Sequence, residues 1–264
     1  AVVDESDLSW KIRQQATMCV AAFITFKKSM LKETYPKSTK RQRYCDVLAS
    51  FLEKRLGERD DTVRIKVLNT VKLMVKESAL FNGGSNVSKA KGSRPPLVRQ
   101  KSWDFPNADG VSDKVLKQFK TANLQIKCAL FDLLQQLCIT LQIRPGMFPF
   151  AAAIEPILDG VKSSDLELQI HALSFLETLA SVSQDSKHFE ANIAQVVEAV
   201  GSAAKLASKD RIKLHALKAS GALSLCVDAK DEKSAGGLFA AVFGCMKLRD
   251  IDDEVKRAAL AAVA

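Results

Sequence analysis

With 264 residues, 47% of them apolar, the chain can bury a sizeable core in one large domain or two ordinary ones. Only 6% are aromatic, and 12 Gly with 7 Pro are few for an all-β chain, so the composition favours helices over sandwiches and barrels. The net charge of +9 is uneven: residues 1–150 carry 26 Lys/Arg against 14 Asp/Glu, residues 151–264 carry 13 against 16, and a basic half points to a nucleic acid or an acidic protein surface as partner.

No apolar run approaches the ~18 residues a membrane span needs. Residues 1–10 hold three acids and no base, unlike a signal peptide. The six cysteines, Cys19, Cys45, Cys128, Cys138, Cys226 and Cys245, form no C-x-x-C pair and sit mostly among apolar neighbours, where a free thiol acts as a small hydrophobe. That usage fits a reducing compartment, so the expected location is cytoplasm, nucleus or both.

The predicted elements follow a repeat. An apolar residue, then a basic or amide residue, recurs at Ile12-Arg13, Ile65-Lys66, Ile126-Lys127, Leu168-Gln169, Ile212-Lys213 and Val255-Lys256. The last four pairs are 42, 44 and 43 residues apart, and the earlier spacings of 53 and 61 imply insertions. An Asp or Asn precedes each (Asp7, Asp60-Asp61, Asn123, Asp165, Asp210, Asp252-Asp253), where it can accept the free N–H groups of a helix start. In chain order the spacing predicts second helices of each repeat over 8–31, 61–81, 122–142, 165–182, 209–227 and 252–264, and first helices over 40–57, 112–120, 148–161, 189–207 and 235–248. Two helices per 40–47 residues is the HEAT/armadillo pattern. One helix pair cannot bury its apolar face alone, so neighbours stack into a solenoid. The expected fold is all-α, a HEAT-repeat superhelix of antiparallel helix pairs. It should be a single array over 1–264 of about six repeats, partial at both ends, cut from a longer chain. Ile126, Leu130, Leu168, Ala172, Ile212 and Ala216 should face inward.

Residues 82–111 interrupt the pattern. Gly83-Gly84, Pro95-Pro96, five basic residues and two acids mark a flexible basic insertion loop. Within it, Arg99-Gln100-Lys101-Ser102 makes Ser102 a candidate phosphorylation site, and Trp103 and Phe105 are candidates for docking on a neighbouring repeat.

No catalytic chemistry is legible. There is no Gly-rich phosphate loop, no H-E-x-x-H and no nucleophile elbow. His171 and His215 stand 44 residues apart, each followed by Ala-Leu, as repeat positions rather than metal ligands. The reading is therefore a non-enzyme without cofactor, metal or small-molecule substrate. The basic stretch Lys27–Arg43 has one interleaved aromatic, Tyr35, too thin a basis for nucleic-acid stacking, so a protein partner is expected.

Leu8-Ser9-Trp10-Lys11-Ile12-Arg13-Gln14-Gln15-Ala16, Gln169-Ile170-His171-Ala172-Leu173-Ser174-Phe175-Leu176 and Arg249-Asp250-Ile251-Asp252-Asp253-Glu254-Val255-Lys256-Arg257-Ala258, in that order, resemble segments of the cullin-associated, neddylation-dissociated (CAND) proteins. The resemblance covers nearly the whole chain apart from 32–39 and 82–111. It implies a piece from the N-terminal to middle region of a long superhelix that wraps unmodified cullin–RING ubiquitin ligase cores, blocks attachment of the ubiquitin-like modifier and promotes exchange of substrate receptors. The partner-facing second helices of the basic half offer Lys11, Arg13, Arg64, Lys66 and Lys127. Arg13, Lys66 and Lys127 can equally bridge to acids of the next repeat, while Lys11 and Arg64 sit one position earlier and reach outward. Two other HEAT arrays compete. A tubulin-binding TOG-type array shares the Trp10-Lys11-x-Arg13 turn but uses basic turns, whereas Glu58-Arg59-Asp60-Asp61 and Asp250-Ile251-Asp252-Asp253 are mainly acidic. Importin-β-type receptors are usually acidic overall.

Overall fold

Capping explains where the helices begin. Asp60 accepts the amide of Val63 at 3.0 Å, Asn123 that of Ile126 at 3.0 Å, Asp165 that of Leu168 at 2.9 Å, and Asp252 that of Glu254 at 2.7 Å. Each satisfies a donor that the first turn leaves without a partner. The computed structural model describes residues 9–33, 35–36, 43–82, 108–141, 149–183, 189, 191–206, 210–228, 230–246 and 252–262. Asp7 and Ser102, Trp103 and Phe105 lie outside them.

The described residues form α1 (Ser9–Phe26), a short 3-10 helix (Lys28–Lys32), α2 (Tyr44–Arg55), α3 (Asp61–Asn82), α4 (Ala108–Gln118), α5 (Leu124–Leu141), α6 (Phe150–Val161), α7 (Leu166–Ser183), α8 (Ile193–Leu206), α9 (Asp210–Ser224), α10 (Glu232–Met246) and α11 (Asp253–Ala261), with no strand among them. The alternation of first and second helices is the predicted one, with α10 longer than α11 in the last repeat. Several bounds differ by three or four residues, among them the starts of α2, α8 and α10, and two differences change the reading. The first helix ends at Phe26 and tightens into the 3-10 turn rather than running to 31, and α4 begins at Ala108, so helix reaches into both ends of the predicted insertion.

The chain divides into two compact units, 1–111 and 112–264. In the first, α1 and α2 both pack on α3. Tyr44 stands against Phe23 at 5.7 Å and Tyr35 at 5.3 Å, which ties α2 to the end of α1. Lys28 Nζ meets Glu77 Oε2 at 2.7 Å, a charge contact whose angles do not make a hydrogen bond, and the carboxylate is only 11% exposed. Removing one partner of such a pair strands a desolvated charge. Lys28→Met should therefore cost about 1–3 kcal/mol, with Lys28→Met/Glu77→Met costing less than the two single changes together. Additive losses in a denaturation cycle would show that the pair is not coupled.

In the second unit the second helices α5, α7, α9 and α11 lie side by side in one layer, and the first helices α6, α8 and α10 form the other. Ile126, Leu130, Leu168, Ala172, Ile212 and Ala216 are all buried between them, as the repeat requires. Phe119, Phe131 and Phe175 join successive repeats, with ring centroids 4.7 Å and 5.9 Å apart. Gly160 lets α6 lie directly on its neighbours, since a Cβ there would stand 2.6 Å from Ala172 Cβ and 3.1 Å from the Phe131 ring.

The cap at Asp60 corrects the register of the second copy. Three residues after a cap come Ile126 and Leu168, and three after Asp60 comes Val63, buried with Val67, whereas Ile65 is half-buried and Lys66 and Asn69 are exposed. The repeat pair is therefore Val63-Arg64, not Ile65-Lys66. Two residues, more than half a turn of helix, separate the alternatives, enough to exchange a core face for a solvent face.

Candidate partner-binding surfaces

The corrected register sorts the five basic residues into two groups. Arg64 and Lys127 directly follow the buried Val63 and Ile126, whereas Ile12 is 70% exposed and the buried face of α1 runs through Thr17 and Ile24, so the first copy's pair Ile12-Arg13 is corrected too: half-buried Arg13, four before Thr17, lies on the inward face. Arg13 Nε donates to Glu58 Oε2 at 3.0 Å across the repeat boundary, and its Nη1 donates to Ser9 Oγ at 2.6 Å. Arg55 approaches the same Glu58 carboxylate at 3.6 Å, and Glu58 is 6% exposed beneath the two guanidinium groups. Arg64 is half-buried and engaged with neighbouring groups. The expected ladder role is thus realised at Arg13 with a Glu in place of an Asp. Lys11 and Lys66 are the exposed pair, Lys11 with its ammonium 5.6 Å from the Trp10 ring. Lys76, three turns along α3 from Lys66, is exposed as well.

In the second unit the layer of second helices is laced by polar contacts between residues about one repeat apart. His171 Nδ1 lies 2.6 Å from Asp132 Oδ1, and His215 Nδ1 lies 3.0 Å from Ser174 Oγ. Gln135 Nε2 donates to Thr178 Oγ1 at 3.0 Å, and Arg211 to Glu167 at 3.2 Å. Each His reaches back to the residue that stands six after the buried repeat position of the preceding repeat, Asp132 after Ile126 and Ser174 after Leu168. The sequence already marked the two His as a repeat pair. It carried no sign of their partners, because those lie on another helix.

Burial lowers the His215 pKa below the usual imidazole value, and the positive charges of Lys218, Arg211 and His171 add to that effect. The sign follows from linkage: the unfolded chain takes up a proton near pH 6.5 before the folded one does. The His215 contribution is complete above that pH and is lost as pH falls through the lower folded value. His215→Gln should therefore lose less melting temperature than the parent between pH 7 and pH 5.5, and equal losses would place the acid sensitivity elsewhere.

Three of the cysteines are held as thiols by burial. Burial pushes Cys45 and Cys128 up to about 11 and Cys138 up to about 12, far from the range of a reactive nucleophile. Among the described residues no group of three His, Cys, Asp or Glu side chains converges as a metal site, and no helix is long and apolar enough to cross a membrane.

A cleft of about 410 Å³ opens where α4 and α5 meet α6 and the turn before α7. Leu116, Phe119, Phe131 and Pro156 supply its apolar surface; Lys117, Lys120 and Lys127 stand at it from α4, its following turn and α5, and Glu155 and Asp159 from α6. Lys127, one of the five basic candidates, lines this cleft.

Stacked helix pairs with inter-repeat side-chain ladders define a HEAT/armadillo-type α-solenoid, a helical-repeat scaffold for binding proteins. No family model matches the chain. It is 24% identical over 272 residues, 98% of its length, to cullin-associated NEDD8-dissociated protein 1 of Dictyostelium discoideum, and 25% identical over 171 residues, 64% of its length, to the protein of that name in Arabidopsis thaliana. The chain spans 20% and 13% of the length of these relatives. Among solved structures it is similar to an engineered protein (TM-score 0.63, 14% identity, 98% of this chain and 91% of that one) and to a designed armadillo repeat protein (TM-score 0.62, 12% identity, 95% and 91%). The repeat, the all-helical fold and these curated relatives together make the chain similar to a stretch of the CAND proteins.

Proposed function

We propose that this chain contributes part of the grip of a scaffold that holds unmodified cullin–RING ubiquitin ligase cores, in cytoplasm or nucleus, and that the parent scaffold thereby restrains attachment of the ubiquitin-like modifier and promotes receptor exchange. The observation that carries the reading is the similarity, over 98% of the chain, to a protein whose name is cullin-associated and NEDD8-dissociated. The surface that supports it is the exposed face of α1 and α3, where Lys11, Lys66 and Lys76 stand in solvent. These cations suit an acidic partner surface. Charges placed at a rim chiefly set association rate and salt dependence.

The test is the association rate of the parent protein with an unmodified cullin–RING core at two salt concentrations. Lys11→Glu with Lys66→Glu should slow association about tenfold at low salt and much less at high salt, with melting unchanged. Rates identical to the parent at both salts would remove these residues from the interface. No detectable binding by the unaltered parent would remove the cullin reading itself.

A further inference from the structure

In the first unit the inter-repeat column is closed: Arg13 reaches across to Glu58, two residues before the capping Asp60. The equivalent residue in the fourth repeat, two before the capping Asp165, is Ser163. At this boundary Lys127 of α5 lines the cleft together with Ser163, a hydroxyl where Arg13 finds a carboxylate. The ladder is left open there, and the cleft occupies that place.

Its two walls differ in net charge. Lys117, Lys120 and Lys127 belong to α4, the turn after it and α5, where Asp113 of α4 offsets one of them; Glu155 and Asp159, one turn apart on α6, belong to the facing helix and have no base beside them in the lining. Among the described residues no ion pair joins any of these six, although the cleft brings them together. Between them lie the rings of Phe119 and Phe131 with Leu116 and Pro156. At about 410 Å³ the volume falls within the ~300–1,000 Å³ typical of binding clefts. A simple anion would meet Glu155 and Asp159, and a simple cation would meet three lysines. A ligand satisfies both walls only by carrying a carboxylate and a cation on opposite sides of an apolar group.

We infer that this cleft is a peptide-docking site. It takes a short extended segment of a partner protein in which one large apolar side chain enters against the accessible Ala152 and Pro156, an Asp or Glu on one side faces Lys117, Lys120 and Lys127, and a Lys or Arg on the other faces Glu155 and Asp159. The site uses none of Lys11, Lys66 and Lys76 and does not depend on the cullin reading. Opposed charges fix the direction in which the segment lies, because the reversed order sets like charges against each other.

A random dodecapeptide library displayed on phage and selected on the whole chain tests this with no partner named in advance. The enriched sequences should share an acidic residue, a large apolar residue and a basic residue in one fixed order. A synthetic peptide of that consensus, followed by fluorescence anisotropy, should bind at least tenfold more weakly to Lys120→Glu/Glu155→Lys, which preserves net charge and alters only exposed side chains. The same peptide with its acid and base exchanged should recover binding to that variant. Three results would overturn the inference: no enrichment, enrichment of peptides of one charge sign only, or an affinity indifferent to the charge exchange. Equal, saturable binding of free phenylalanine with the same response would assign the cleft to a zwitterionic small molecule and overturn the peptide assignment.

Discussion

Phe131→Ala should cost about 3–5 kcal/mol of stability, read by chemical denaturation together with hydrogen exchange of the α5 and α7 amides. The side chain is fully buried and touches rings on both sides, Phe119 at 4.7 Å and Phe175 at 5.9 Å. Gly160 of α6 lies against the same ring, so the truncation opens a cavity on which three helices border. Close contacts such as that between α6 and Ala172 leave little room for collapse, which places the expected cost at the upper end of core truncations. Phe131→Leu, which keeps most of the volume, should lose much less. A loss below about 1 kcal/mol for the alanine variant would mean that the repeats do not depend on this aromatic chain for their stacking.

Ile212→Ala should cost about 2–5 kcal/mol, while Ile12→Ala should change stability by less than about 0.5 kcal/mol. The two isoleucines match in the sequence pattern, each followed by a basic residue. Ile212 of α9 is buried, as is Ala216 one turn on, whereas Ile12 is 70% exposed on α1, and Phe26 on the same helix is 79% exposed. Only the first change removes contacts and leaves a void. Equal losses at the two sites, in matched melting experiments, would show that Ile12 is covered in solution.

The cleft, with its two walls of unlike net charge, and the exposed lysines of α1 and α3 are two surfaces of different chemistry. One is a row of cations suited to steering an acidic partner. The other is a small apolar recess with opposed charges, suited to reading a sequence with direction. A helical-repeat scaffold has room for both, because each repeat contributes its own side chains to a surface that no single repeat creates.

The sequence by itself determined the all-helical repeat, the alternation of first and second helices, most of the caps and the inward positions of the second unit. These follow from local chemistry: an Asp or Asn aligned with free amides, and an apolar period that matches one helix face. It also placed His171 and His215 as equivalent repeat positions, since equivalence requires only spacing. The register of the second copy was legible too, because Asp60 fixes Val63 as Asn123 fixes Ile126; Ile65-Lys66 competed because it offers the same residue types two places later. What only the tertiary structure decided was which basic residue faces whom. Arg13 and Lys127 read alike in the sequence, each a basic residue after an isoleucine, yet Ile12 is exposed where Ile126 is buried, and one base is tied to Glu58 while the other borders an open cleft. The difference lies in the residue two before the next repeat's cap, Glu58 in one case and Ser163 in the other, some 36 to 45 positions along the chain. An inter-repeat contact is a property of two helices at once, and periodicity within either helix contains no information about the side chain that the other will bring against it.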